Sequence, residues 1–145
     1  MNLRQAQRCD AKKLFLLEQE LFEPQNYPLS YSSFCYHIQN NLLFAAEEEE
    51  GEIAGYILIL VKRKTPKIYS LGISKNHRKK GIGAKLLVHA IEQLRAKEFS
   101  SLVLEVREDN TPAQELYKKF GFVTKRIEKG FYKDGCDALI MEVKL

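Results

Sequence analysis

The chain predicts a mixed α/β fold, a sheet containing both strand orientations with helices on both faces. Three observations carry that prediction. Segments of helical and strand period read in the order α, α, β, β, β, α, β, α, β, β. The 145 residues leave room for one domain, 1–145, which at this size buries roughly 68–70% of its unfolded surface without a disulfide or metal staple. Hydrophobic residues at 45% and charged residues at 29% match an ordinary soluble globule.

The first ten residues are polar and lack the apolar core of a signal peptide. Leu14, Leu17 and Leu21 recur at spacings of three and four, so 11–21 is an amphipathic helix with Asp10 available as its N-cap. Pro24 and Pro28 bracket a loop, and 32–40 is a short second helix. Segments 42–46 and 53–61 are apolar and partly β-branched, and they flank Glu47-Glu48-Glu49-Glu50-Gly51-Glu52. They read as antiparallel strands around a solvated acidic tip.

Residues 67–74 form a strand, and 81–97 a helix with Ile82, Leu86, Leu87, Ala90, Ile91 and Leu94 on one face. Strand 101–106 alternates, with Leu102, Leu104 and Val106 on one side and Val103 and Glu105 on the other. Thr111-Pro112-Ala113-Gln114 has capping-box spacing with proline at the first helical position. That helix ends at Phe120-Gly121, where glycine accepts the left-handed cap. Strands 122–132 and 138–145 close the chain.

The net charge of +4 conceals an uneven distribution. Residues 1–52 hold four cations and nine acids, 53–91 nine cations and no acid, and 92–145 ten of each. The +9 middle third predicts an anionic partner: a phosphorylated cofactor, nucleic acid or a lipid surface. Apolar runs such as 57–61 are far too short to span a membrane. Cys9, Cys35 and Cys136 are odd in number and scattered, which points to a reducing cytoplasm.

Arg78-Lys79-Lys80-Gly81-Ile82-Gly83-Ala84 joins a strand to a helix. Glycines permit close backbone approach, and the first-turn N–H groups of a helix bind phosphate. The competing reading is a surface turn with solvated lysines. A dinucleotide loop is excluded, because its third glycine would fall at Leu86 and Gly81 lies seven positions beyond Ser74. With no P-loop sequence either, neither NAD nor ATP is expected.

Glu105 is an acid in an apolar strand, and a partly desolvated carboxylate suits general-base work. It equally fits a strand carboxylate facing water or a lysine. Tyr117 reads either as a core tyrosine beside Leu116 and Phe120 or as a proton donor. Asn110 is by default a cap or turn residue. Cys35-Tyr36-His37 stands without a second ligand pair, so no metal is expected. Cys136 is read as inert, and no Gly-x-Ser-x-Gly nucleophile elbow occurs.

Arg78-Lys79-Lys80-Gly81-Ile82-Gly83, preceded by Leu71-Gly72-Ile73, resembles the cofactor signature of the GNAT superfamily of acetyl-CoA-dependent N-acetyltransferases. Leu104-Glu105-Val106-Arg107, Asn110, Leu116-Tyr117, Phe120-Gly121-Phe122, Tyr132 and Asp137-Ala138-Leu139-Ile140-Met141 are similar to its ribosomal-protein-alanine N-acetyltransferase subgroup. The subgroup usually has Pro-Trp before the second helix, where this chain has Pro28-Leu29.

The resemblance implies a mostly antiparallel sheet whose central parallel strands splay apart. It also implies that the backbone of Leu71 and Ile73, with Gly72 between them, pairs with the pantetheine arm. Amides from Lys79 through Ala84 would hold the pyrophosphate beside Arg78, and Asn110 would contact the cofactor near its thioester. Glu105 would take the acceptor's proton through a water, and Tyr117 would protonate the thiolate. The loop 22–31 would line the acceptor site.

The implied activity is acetyl transfer from acetyl-CoA, as co-substrate and without a metal, to a protein N-terminus in the cytoplasm, by a monomer or homodimer. A small amine or a lysine side chain is the alternative acceptor. A reading of another class is a non-enzymatic RNA or polyanion binder using Lys62, Arg63, Lys64, Lys67, Lys75 and Lys79.

Overall fold

A polar segment opens the sheet. In the computed structural model, which describes residues 1–22 and 28–145, Asn2–Gln5 (β1) pairs antiparallel with Leu42–Glu47 (β2). Sequence reading gave residues 1–10 no element. An edge strand needs only backbone pairing, and the exposed or half-exposed side chains of β1 carry no apolar alternation to reveal it.

A 3₁₀ turn, Arg8–Asp10, leads into Ala11–Leu21 (α1), followed by Tyr31–Asn40 (α2). Beyond β2 come Ile53–Leu60 (β3), Lys67–Ile73 (β4), Ile82–Ala96 (α3), Ser101–Arg107 (β5), Thr111–Lys119 (α4), Val123–Glu128 (β6) and Ala138–Lys144 (β7). Among the described residues these seven strands form one sheet in the order β1-β2-β3-β4-β5-β7-β6. Only β4 and β5 run parallel; the other neighbours are antiparallel.

Helices cover both faces. Leu86, Leu87, Ala90 and Leu94 of α3 pack with Ile57 and Ile59 of β3 on one side. Leu14 and Leu17 of α1 and Phe34 of α2 pack with Tyr56 and Leu58 on the other. This two-sided cover is why β3 is apolar along its length instead of alternating. The acidic tip is a tight turn, closed by the Glu48 amide on the Glu52 carbonyl at 2.8 Å and by Gly51 at φ +85°. Among the described residues no helix is long and apolar enough to cross a membrane.

Three local expectations change. Asp10 does not cap α1 with its side chain, because the 3₁₀ turn already places it in helical geometry at φ −83° and ψ −13°. Its carboxylate turns back instead, accepting the Gln7 amide at 2.7 Å and both Arg4 guanidinium nitrogens at 2.8 and 2.9 Å. The cap of α4 is Asn110, whose side chain accepts the Ala113 amide at 3.2 Å, while Gln114 donates to the Arg107 and Glu108 carbonyls.

The third change is a strand that stops early. β6 ends at Glu128, since Gly130 and Gly135 take positive φ in a closed turn pinned by Asp137 on the Gly130 amide. The bracketing role expected of Pro24 falls outside the described residues.

Candidate active site

The site begins where two parallel strands separate. β4 and β5 pair only at Lys67 with Val103 and at Ile68 with Leu104. The register between β3 and β4 slips at the next residue: Ile59 faces Ile68 and Leu58 faces Ser70, which leaves Tyr69 as an extra residue. A bulge of this kind bends its strand, and here it turns β4 away from β5. The splayed strands expected from the resemblance are present, and the backbone of Leu71, Gly72 and Ile73 lies beyond the split.

Gly55 and Gly72 hold this region together at close quarters. A Cβ on Gly72 would lie 2.9 Å from Leu21 Cδ1 and from Tyr56 Cε1, and one on Gly55 would lie 2.9 Å from the Gly72 carbonyl. Past Ile73, the chain makes a 3₁₀ turn, Lys75–His77, and reaches the Arg78–Ala84 segment. Lys79 and Gly81 adopt left-handed φ of +64° and +75°, and Gly81 serves as the N-cap of α3.

The side chain of Ile82 points into the core. The first-turn amides, Ile82, Gly83 and Ala84 among them, have no intrahelical acceptor. A Cβ on Gly83 would meet nothing closer than Leu116 Cδ2 at 3.8 Å and Ile73 Cγ1 at 3.9 Å. The backbone at Gly83 therefore accepts a Cβ without a clash, and Arg78, Lys79 and Lys80 precede it with positive charge. This strand-turn-helix cradle fits a pyrophosphate.

Between the splayed strands lies a cavity of about 310 Å³, lined by Leu71, Glu105, Asn110, Leu116, Tyr117 and Tyr132 with their strand neighbours. A second cavity of about 460 Å³ is lined by Glu18, Phe22, Leu29, Lys67, Phe131 and Tyr132 among others. The two share Phe22, Ile68, Tyr69, Ser70, Glu105 and Tyr132. Glu105 therefore sits at the junction of two spaces, at the apex of the fork.

Glu105 lies at the cavities and also meets a basic partner. The carboxylate faces the cavities, and it also meets a lysine, with Lys67 Nζ at 2.5 Å from Oε1. Lys67 is thus not part of a surface patch as the polyanion reading supposed. Tyr117 is buried at 8% exposure, its ring edge-on to Phe122 at 5.5 Å. Among the described residues no hydrogen bond is made by its hydroxyl, and the residue lines the cavity between the splayed strands. Burial, with Tyr132 nearby, pushes its pKa up to about 12, so the phenol stays protonated throughout the physiological range.

Two features escaped the sequence reading. Glu18 is 3% exposed on the apolar face of α1. Its carboxylate accepts the Tyr56 hydroxyl and the Leu29 amide, the latter at 2.8 Å. Tyr56 also shares a 2.7 Å hydrogen bond with Ser70 on β4. Burial and the Glu18 carboxylate raise the pKa of Tyr56 well above the ordinary phenol range. This network ties the segment before α2 to the fork.

The other feature is the β6–β7 turn, expected as strand. It places Phe131 and Tyr132 on the cavity wall, with the Arg107 guanidinium 4.8 Å over the Tyr132 ring. Arg107 is itself held by Asp109 and Asp134 at 3.1 and 2.7 Å.

Comparison with known proteins agrees with this architecture. A Bacillus subtilis protein named as a candidate ribosomal protein bS18-alanine N-acetyltransferase is 36% identical over 121 residues, covering 81% of this chain and 80% of its own. The N-terminal acetyltransferase A complex catalytic subunit NAA10 of Arabidopsis thaliana is 35% identical over 132 residues, covering 84% of this chain and 67% of its own. The crystal structure of the Escherichia coli ribosomal-protein-S18-alanine N-acetyltransferase superposes with a TM-score of 0.87 at 25% identity, over 99% of this chain and 92% of that one. Residues 7–122 match the Acetyltransferase (GNAT) family, and the chain belongs to that family.

Proposed function

We propose that this acetyltransferase moves the acetyl group of acetyl-CoA onto the N-terminal α-amine of a protein, with ribosomal proteins as the acceptor class, by direct attack in a ternary complex in the cytoplasm. The observation that carries the reading is the pair of cavities meeting at Glu105. One lies between the splayed strands on the side of the phosphate cradle, and the other lies between α1 and the β6–β7 turn. A cofactor and an acceptor can approach one point from two sides without a covalent enzyme intermediate. The names of the relatives, a ribosomal protein-alanine N-acetyltransferase and an N-terminal acetyltransferase subunit, support the choice of acceptor.

Acetyl-CoA supplies the activated acetyl thioester. Backbone groups of Leu71 and Ile73, flanking Gly72, pair with the pantetheine arm. The amides from Lys79 to Ala84 hold the pyrophosphate, with Arg78, Lys79 and Lys80 balancing its charge. Asn110, placed at the start of α4 by its own cap, contacts the cofactor near the thioester. Glu105 takes the proton of the acceptor ammonium. Tyr117 donates its proton to the departing sulfur, whose conjugate acid has a pKa of about 8.5, far below that of the buried phenol.

An α-amine with pKa about 7.7–8.0 is partly neutral at pH 7, whereas a lysine amine at about 10.4 is almost wholly charged. A carboxylate base therefore serves the α-amine better. The experiment is a panel of N-terminal peptides incubated with acetyl-CoA and read by mass. Acetylation confined to the α-amine is expected, and modification only of small amines or internal lysines would overturn the reading.

A further inference from the structure

The larger cavity contains a charge arrangement that the transfer reaction does not itself require. Among the described residues its charged lining groups are two carboxylates, Glu18 and Glu105, and one ammonium, Lys67, with the phenols of Tyr69 and Tyr132 beside them. Glu18 is already engaged, one oxygen taking the Tyr56 hydroxyl and the other the Leu29 amide. Among the described residues, Glu105 is the remaining carboxylate that can meet a cation entering the cavity, and Lys67 is already there. Their side chains are 20% and 17% exposed, so the pair is only partly hydrated.

We propose that Lys67 is a specificity-determining residue of the acceptor site: its ammonium occupies the place on Glu105 that the acceptor's α-ammonium takes, so acceptor binding exchanges one cation for another. This rests on the α-amine reading above. Two ammonium groups on one carboxylate repel each other, so the incoming group is received as Lys67 leaves. Lys67 can leave because it is the first residue of β4, separated by two residues from the exposed segment 62–64, and its stem has four rotatable carbons. The exchange moves no covalent bond. It sets a threshold on acceptor affinity, since the incoming ammonium must displace the Lys67 charge.

The test compares wild type with Lys67→Met, which keeps the length of the stem and removes the charge. Binding of an alanine-terminated peptide is measured by calorimetry with CoA present, alongside CoA affinity alone. Peptide affinity is expected to rise about fivefold in the variant, the scale of a partly exposed ion pair, with CoA affinity unchanged. In Lys67→Ala, added n-propylammonium is expected to lower peptide affinity back toward the wild-type value, a response that a merely structural lysine would not produce. Unchanged or weaker peptide binding in folded Lys67→Met, or no effect of propylammonium on Lys67→Ala, would overturn the exchange. The α-amine reading is checked separately by wild-type acetylation of the same peptide. No product there ends that reading, whereas product with unchanged affinity in Lys67→Met ends this one.

Discussion

Gly83→Val separates a ligand cradle from a structural glycine, because the backbone there accepts a Cβ without a clash. The nearest atoms to an added Cβ are Leu116 Cδ2 at 3.8 Å and Ile73 Cγ1 at 3.9 Å, ordinary van der Waals contacts. Gly83 is not among the glycines with positive φ, so valine needs no backbone change, and helix propensity shifts stability by under about 1 kcal/mol. In the cradle the branched side chain stands where phosphate oxygens would approach the first-turn amides. Loss of two charge-assisted hydrogen bonds costs roughly 3–6 kcal/mol, a weakening of acetyl-CoA binding on the order of 10²–10⁴-fold. Calorimetric titration with CoA, beside a thermal melt, reads both quantities. Gly72→Ala is the converse control: its Cβ would lie 2.9 Å from Leu21 and Tyr56, so it is expected to destabilise by about 1–3 kcal/mol. Unchanged CoA affinity in folded Gly83→Val would refute the cradle.

Tyr117→Phe keeps the ring against Phe122 and removes the proton donor. Turnover is expected to fall on the order of 10²–10⁴-fold with acetyl-CoA affinity nearly intact, measured by steady-state kinetics and calorimetry; full activity would return Tyr117 to a packing role. Asp10→Ala breaks the Arg4 and Gln7 contacts and is expected to cost about 2–4 kcal/mol. The Arg4 guanidinium, with the Gln7 amide, holds the Asp10 carboxyl below its ordinary pKa against the opposing effect of burial. The stability it contributes is therefore present above about pH 4 and lost as pH falls through the lowered value. Urea denaturation of both proteins at pH 7 and pH 3 checks this, with the gap narrowing at the lower pH.

The elements with strong periodicity were legible, since Leu86, Leu87, Ala90 and Leu94 must share a face wherever the helix packs. The same holds for Leu102, Leu104 and Val106 against Glu105 on β5. The candidate cofactor loop was legible because its chemistry is local: glycines, cations and a helix start lie within seven residues. β1 was not, because pairing at a sheet edge asks nothing of side chains.

The Lys67–Glu105 contact was hidden for a different reason. It depends on the parallel register of β4 on β5 and on the bulge at Tyr69, neither of which leaves a pattern in the chain. Glu18 did leave a signal. It is a carboxylate four positions after Leu14, on the stripe that Leu14, Leu17 and Leu21 define, and a polar residue there calls for a buried partner. The β6–β7 turn was misread as strand because Phe131 and Tyr132 have high β propensity, while Gly130 and Gly135 decide the backbone.

Acetyl transfer to an α-amine with Glu105 as proton acceptor is tested most directly by pH–rate profiles of wild type and Glu105→Gln on an alanine-terminated peptide, with and without its α-amine blocked. The variant keeps shape and hydrogen bonding but cannot take the proton. Its defect is expected to be large near pH 7 and to shrink as pH rises past about 8, where the α-amine is already neutral, and the blocked peptide is expected to be inert. A defect that persists to about pH 10, together with equal activity on the blocked peptide through an internal lysine, would contradict the α-amine assignment, and a defect independent of pH would reduce Glu105 to a positioning role.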